Sequence, residues 1–89
     1  MTSTNFDTIL TKMEKLIENS CEVKLTIKER ETKYEMDTLY IEVSRECEFE
    51  LIQKLRTYLA NKAIQKEYSV YQGDKYYFND FLVHIEYEN

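Results

Sequence analysis

The chain is predicted to be α+β, a two-layer sandwich in the order α-β-β-α-β-β, with both helices on one face of a four-stranded antiparallel sheet. Three observations predict it. Two segments carry a single apolar stripe at helical spacing, and the others alternate apolar and polar residues with a period of two. The third is their order, helix–hairpin–helix–hairpin. Stripes and one-sided strands in that order are buried most simply by laying the helices side by side on one sheet face.

The first helix is expected over residues 6–19. Phe6, Ile9, Leu10, Met13, Leu16 and Ile17 form one stripe of a 3.6-residue period. Thr4 is the expected N-cap, with Asp7 three residues on as a weak capping box, and Asn19-Ser20 ends the helix. Residues 21–28 then alternate, with Cys21, Val23, Leu25 and Ile27 inward. The polar run 29–33 is the hairpin tip. The chain returns through Leu39, Ile41 and Val43, and a regular hairpin puts Ile27 opposite Leu39. Tyr34, Met36, Tyr40 and Glu42 take the other parity.

Ser44 is expected to cap a second helix over 45–62. Its apolar face is Phe49, Ile52, Leu55, Leu59 and Ala63, flanked by Leu51 and Tyr58. Glu46, Glu48 and Glu50 fall in its first turns, where the helix dipole favours negative charge. A third strand is expected over 64–71, with Tyr68 and Val70 on one face and Ser69 and Tyr71 on the other. Gly73, the chain's one glycine, supplies a positive φ in the turn that follows. The last strand is expected over 75–87, with a bulge at Asn79-Asp80. The predicted core contains Ile9, Leu16, Leu25, Ile41, Leu55, Leu59, Val83 and Ile85. A ferredoxin-like arrangement with its first strand moved to the end would have this element order. The stretch KYEMDTLYIEV, beginning at Lys33, echoes KYYFNDFLVHIEY, beginning at Lys75. The echo fits an αββ duplication, 4–44 and 45–89, or two alternating strands that match by chance.

Eighty-nine residues suit one domain, 1–89. Twelve basic against 17 acidic side chains leave a net charge of −5. That balance argues against direct nucleic-acid binding, which draws its affinity from Lys and Arg at phosphates, and against an anionic membrane surface. It points instead to a basic protein surface as partner. No apolar run approaches the roughly 20 residues of a membrane span. The N-terminus lacks the pattern of a secretory signal, so a cytoplasmic location is expected, in the host cell if the chain is viral. Cys21 and Cys47 are expected to be free thiols. With no CxxC pair and His84 as the sole histidine, neither a zinc site nor any cofactor is expected.

His84 is also the one side chain from which a Ser/His/Asp or Cys/His catalytic pair could be built, and no convergent polar group surrounds it, so no enzyme is expected. The sheet face away from the helices is the candidate surface. By parity it displays Lys24 and Lys28 with the candidate partner-binding residues Tyr40, Glu42, Tyr71, Leu82, His84 and Glu86. Aromatics on an open sheet can stack RNA bases, but interleaved carboxylates repel phosphates. Tyrosine beside carboxylate suits protein recognition.

In size, acidity, abundance of Tyr and Glu, and lack of a catalytic constellation, the chain is similar in general type to the small acidic inhibitors encoded by phages and other mobile elements. These include anti-CRISPR proteins and DNA mimics. The resemblance rests on no shared motif, so it carries over no site residues. It implies a non-catalytic inhibitor of a basic, nucleic-acid-binding partner such as a CRISPR effector. An immunity protein or antitoxin neutralising a toxin would share these features. So would a structural subunit that forms a homodimer or larger homo-oligomer through the sheet face or an edge strand.

Overall fold

A computed structural model describes residues 5–88. The first apolar stripe forms helix α1, Phe6–Ile17, with Ile9 and Met13 fully buried. Its N-cap is Asn5, whose side-chain oxygen accepts the Thr8 N–H at 2.8 Å. Thr4, the expected cap, lies outside the described residues. Leu16, expected in the core, is half-buried in the last turn.

Strands β1 (Val23–Lys28) and β2 (Asp37–Val43) form the expected antiparallel hairpin, with Ile27 opposite Leu39. The edge position of β1 leaves Leu25 half-buried and Ile27 half-exposed. Cys21 precedes β1 and is exposed rather than inward. The hairpin runs one rung past its strands, because the Ser44 N–H donates to the Glu22 carbonyl at 2.7 Å. Ser44 is thus held at the sheet end and does not cap the helix. A turn closed by the Cys47 N–H on the Ser44 carbonyl at 3.0 Å carries the chain onto the sheet face. Helix α2, Phe49–Lys62, begins only after that turn. Phe49, its first residue, is 70% exposed rather than core, while Leu55 and Leu59 are fully buried.

Strands β3 (Gln65–Ser69), β4 (Gly73–Tyr77) and β5 (Phe81–Tyr87) follow. The stretch expected as one bulged strand over 75–87 is two antiparallel strands joined at Asn79-Asp80. The turn is closed by the Phe78 N–H on the Phe81 carbonyl at 2.9 Å. Parity explains the division. Asp74, Tyr76 and Phe78 face the core before the turn, and Phe81, Val83 and Ile85 after it. Even and odd residues cannot share one face of an uninterrupted strand.

The extra reversal changes the sheet. It has five strands in the order β1-β2-β5-β4-β3, and β5 runs parallel to β2. It is therefore mixed, not a four-stranded antiparallel sheet, and the ferredoxin-like arrangement does not apply. The two echoing stretches lie side by side, with Ile41 opposite Ile85 and Glu42 opposite Glu86. Leu39, Ile41, Val83, Ile85 and Tyr76 form the inner sheet face, all buried to 1% exposure or less, with Ile9, Met13, Leu55 and Leu59 from the helices in the same cluster. Both helices therefore lie on one face, as expected.

Candidate functional site

The face away from the helices is built by register. Its central row runs Thr26, Tyr40, His84, Lys75, Glu67 across the strands in sheet order. On one side lies the row Lys28, Thr38, Leu82, Tyr77, Gln65, and on the other Lys24, Glu42, Glu86. Five of the predicted residues, Tyr40, Glu42, Leu82, His84 and Glu86, thus fall together on adjacent central strands. Tyr71 does not join them on a strand, because β3 ends at Ser69. It sits exposed in the turn before β4, whose groove it lines together with His84 and Glu86.

His84 is the hub. Its ring lies 5.5 Å from the Tyr40 ring, tilted by 47°. Its Nε2 contacts the Gln72 carbonyl, and its Nδ1 lies 3.7 Å from a Glu86 carboxylate oxygen. The Nε2 contact reaches the turn that presents Tyr71. That turn depends on Gly73, at φ +83°, where an added Cβ would lie 2.1 Å from the Ile85 carbonyl oxygen. The Ser69 hydroxyl oxygen accepts the Tyr71 and Gln72 N–H groups at 3.2 and 3.1 Å and completes the turn.

The parallel β2–β5 pair places Glu42 beside Glu86 at the sheet end where β2 and β5 finish and β1 begins. Glu22 and Glu88 line the same groove. Glu22 also borders a second groove with Glu46, Glu48 and Glu50 from the approach to α2 and its first turn. One end of the molecule is therefore a continuous field of glutamates, with Lys24 and Lys54 the basic residues lining the two grooves. The Cys47 thiol responds to it. Burial pushes its pKa up, and the charges of Glu22 and Glu48 push it further. By parity Glu22 and Glu88 fall outward with Lys24 and with His84 and Glu86, though neither is among the candidate residues, and sequence reasoning missed Tyr77 as a member of this surface. The signal for including the two glutamates was their place one step beyond a strand end, beside glutamates already assigned.

A buried polar cluster sits beneath, on the helix side. Asp74 is 5% exposed, and its Oδ2 is 2.6 Å from the Tyr87 hydroxyl, 3.2 Å from Arg56 Nε and 3.5 Å from the Tyr76 hydroxyl. The Arg56 guanidinium also lies over the Tyr68 ring, 5.3 Å from its centroid. Every one of these groups is held by another of the chain's own groups, so the cluster reads as a pin between α2 and the sheet. Among the described residues no three His, Cys, Asp or Glu side chains are grouped to hold a metal ion. No helix there is long and apolar enough to cross a membrane.

Compared with known proteins, the chain matches no family model, no curated protein and no solved structure.

Proposed function

We propose that this chain is a non-catalytic inhibitor that covers a basic, nucleic-acid-binding surface of a partner protein such as a CRISPR effector, acting in the cytoplasm (the host's, if the chain is viral). The observation that supports this reading is the placement of Glu42 directly opposite Glu86 on adjacent central strands. Like charges opposite one another in a sheet cost stability. Lys24 stands opposite Glu42 on its other side, and a basic partner would relieve the part of the cost that this lysine leaves. Tyr40, Tyr77 and Leu82 lie on the same face and offer the uncharged contact area that such a partner would bury.

The test uses the tagged chain as bait in a lysate, with Glu42→Lys/Glu86→Lys as the control bait. A basic protein captured by the wild type and lost with the control supports the reading. Its nucleic acid should then be displaced when the chain is added. A captured partner whose nucleic acid stays bound would contradict the inhibitory role. Capture of a toxin whose activity the chain suppresses would favour an immunity protein instead.

A further inference from the structure

The other edge of the sheet presents a different surface. β3 is an edge strand, so alternate N–H and C=O groups along Gln65–Ser69 have no partner strand. Tyr68, on the strand, is 53% exposed, and Ile64 and Val70, the residues flanking its two ends, are 69% and 95% exposed beside this open edge. Both edges carry charged side chains, Lys24 and Lys28 on β1 and Lys66 and Glu67 on β3, but only β3 is flanked at both ends by largely exposed apolar residues. Exposed apolar residues along unpaired main chain fit another extended strand.

We infer that the β3 edge pairs with the β3 edge of a second copy of this chain, antiparallel, about a twofold axis at Glu67. The strand's own sequence argues for a second copy. In this register Gln65 stands opposite the partner's Ser69 and Lys66 opposite the partner's Tyr68, and the flanking Ile64 of one copy is brought near the flanking Val70 of the other at each end of the paired strands. Each exposed apolar residue meets an apolar group or the stem of a lysine, and the Lys66 ammonium meets an aromatic ring. The remaining pair is Glu67 with its own copy. That like-charge contact on the axis costs stability, but within each sheet Glu67 is already opposite Lys75, so the row Lys, Glu, Glu, Lys is neutral in sum.

The geometry also separates the repulsive parts. β3 finishes at the sheet end that carries Glu42 and Glu86, because Ser69 pairs with Gly73 and Asp74 with Ile85. Antiparallel pairing therefore puts the two acidic ends at opposite ends of a single sheet made from two five-stranded halves. Their mutual repulsion is then screened over several Debye lengths at physiological salt. The surface assigned to a basic partner stays open in both copies.

Sedimentation of the full chain over a wide concentration range tests this. The wild type should show a reversible equilibrium between the 10.8 kDa chain and twice that mass. Ile64→Lys/Val70→Lys should be monomeric throughout with an unchanged circular dichroism spectrum, since both side chains are exposed. Residues opposite one another in an antiparallel pair have Cα atoms roughly 4.5–5.5 Å apart, within reach of a disulfide. So Glu67→Cys, with Cys21 and Cys47 replaced by Ser, should cross-link on mild oxidation, and Thr26→Cys at the β1 edge should not. A wild type that stays monomeric overturns the proposal. So does a dimer that survives the lysine pair, or one that cross-links at position 26 and not at 67.

Discussion

The Tyr87 hydroxyl donates a 2.6 Å hydrogen bond to the buried Asp74 carboxylate, joining the end of β5 to the start of β4 beneath the acidic end of the sheet. Arg56 brings α2 to the same oxygen at 3.2 Å. Hydrogen bonds to a buried charge are worth about 1.5–3 kcal/mol each, and a donor left without its acceptor costs its desolvation. Asp74→Ala should therefore lower stability in urea denaturation by about 2–3 kcal/mol, and Tyr87→Phe by about 1 kcal/mol. The two losses should not add, because both remove the same bond.

Burial raises the Tyr87 phenol above its ordinary value of 10.0, and its hydrogen bond to Asp74 and the charge of Asp74 raise it further. Tyr76 is raised in the same direction, by burial first and then by the Asp74 charge. Above pH 10 the unfolded chain releases these protons while the folded chain keeps them. The folded state then binds more protons, so stability falls as pH rises. Denaturation midpoints should be flat with respect to these two groups below pH 10 and decline above it. Tyr87→Phe should decline less steeply.

Gly73→Ala tests the turn under His84. The new Cβ would lie 2.1 Å from the Ile85 carbonyl oxygen at a φ of +83°. The left-handed backbone alone costs an alanine about 1–2 kcal/mol, and the clash adds to it. A loss well above 2 kcal/mol is expected. A melting point equal to wild type would mean that the β3–β4 turn is not built around this glycine.

Core substitutions separate the two kinds of apolar residue on α2. Leu55→Ala should cost about 2–5 kcal/mol, because the side chain is fully buried. Phe49→Ala should cost under about 1 kcal/mol, because Phe49 is 70% exposed. Equal losses at the two positions would contradict the placement of the helix start.

What the sequence made legible was local. The stripe of α1, the hairpin register of Ile27 with Leu39, and the outward parity of Tyr40, Glu42, His84 and Glu86 follow from periods of 3.6 and 2. The turn at Asn79-Asp80 left one trace, the change of inward residues from Tyr76 and Phe78 to Phe81 and Val83. Asn-Asp is a weaker hairpin signal than Asn-Gly, and neither residue takes a positive φ here. Strand order was out of reach, because the β2–β5 pairing joins residues 44 apart by register and depends on that turn. The echo between the two stretches has a sufficient local cause. Adjacent central strands that share a core face and an exposed face need the same alternation.

The acidic groove was illegible for the same reason. Glu22, Glu42, Glu86 and Glu88 are far apart in the chain and meet only through the parallel pair. Parity places Tyr71 on the sheet face only if the third strand extends to residue 71, and β3 ends two residues earlier, at Ser69. The turn centred on the Ser69 hydroxyl moves it to the rim.

The most direct test of the proposed function is the rate at which the chain associates with its captured basic partner, measured against salt for the wild type, Tyr40→Ala and Glu42→Lys/Glu86→Lys. Paired carboxylates that steer a basic surface set the association rate and its ionic-strength dependence, whereas a tyrosine packed in the interface sets dissociation. The double charge reversal should slow association roughly tenfold or more at low salt, with the difference shrinking toward physiological salt. Tyr40→Ala should raise the dissociation rate at every salt concentration. If both variants bind with wild-type rates, the outer sheet face is not the interface and the proposed function is wrong as stated.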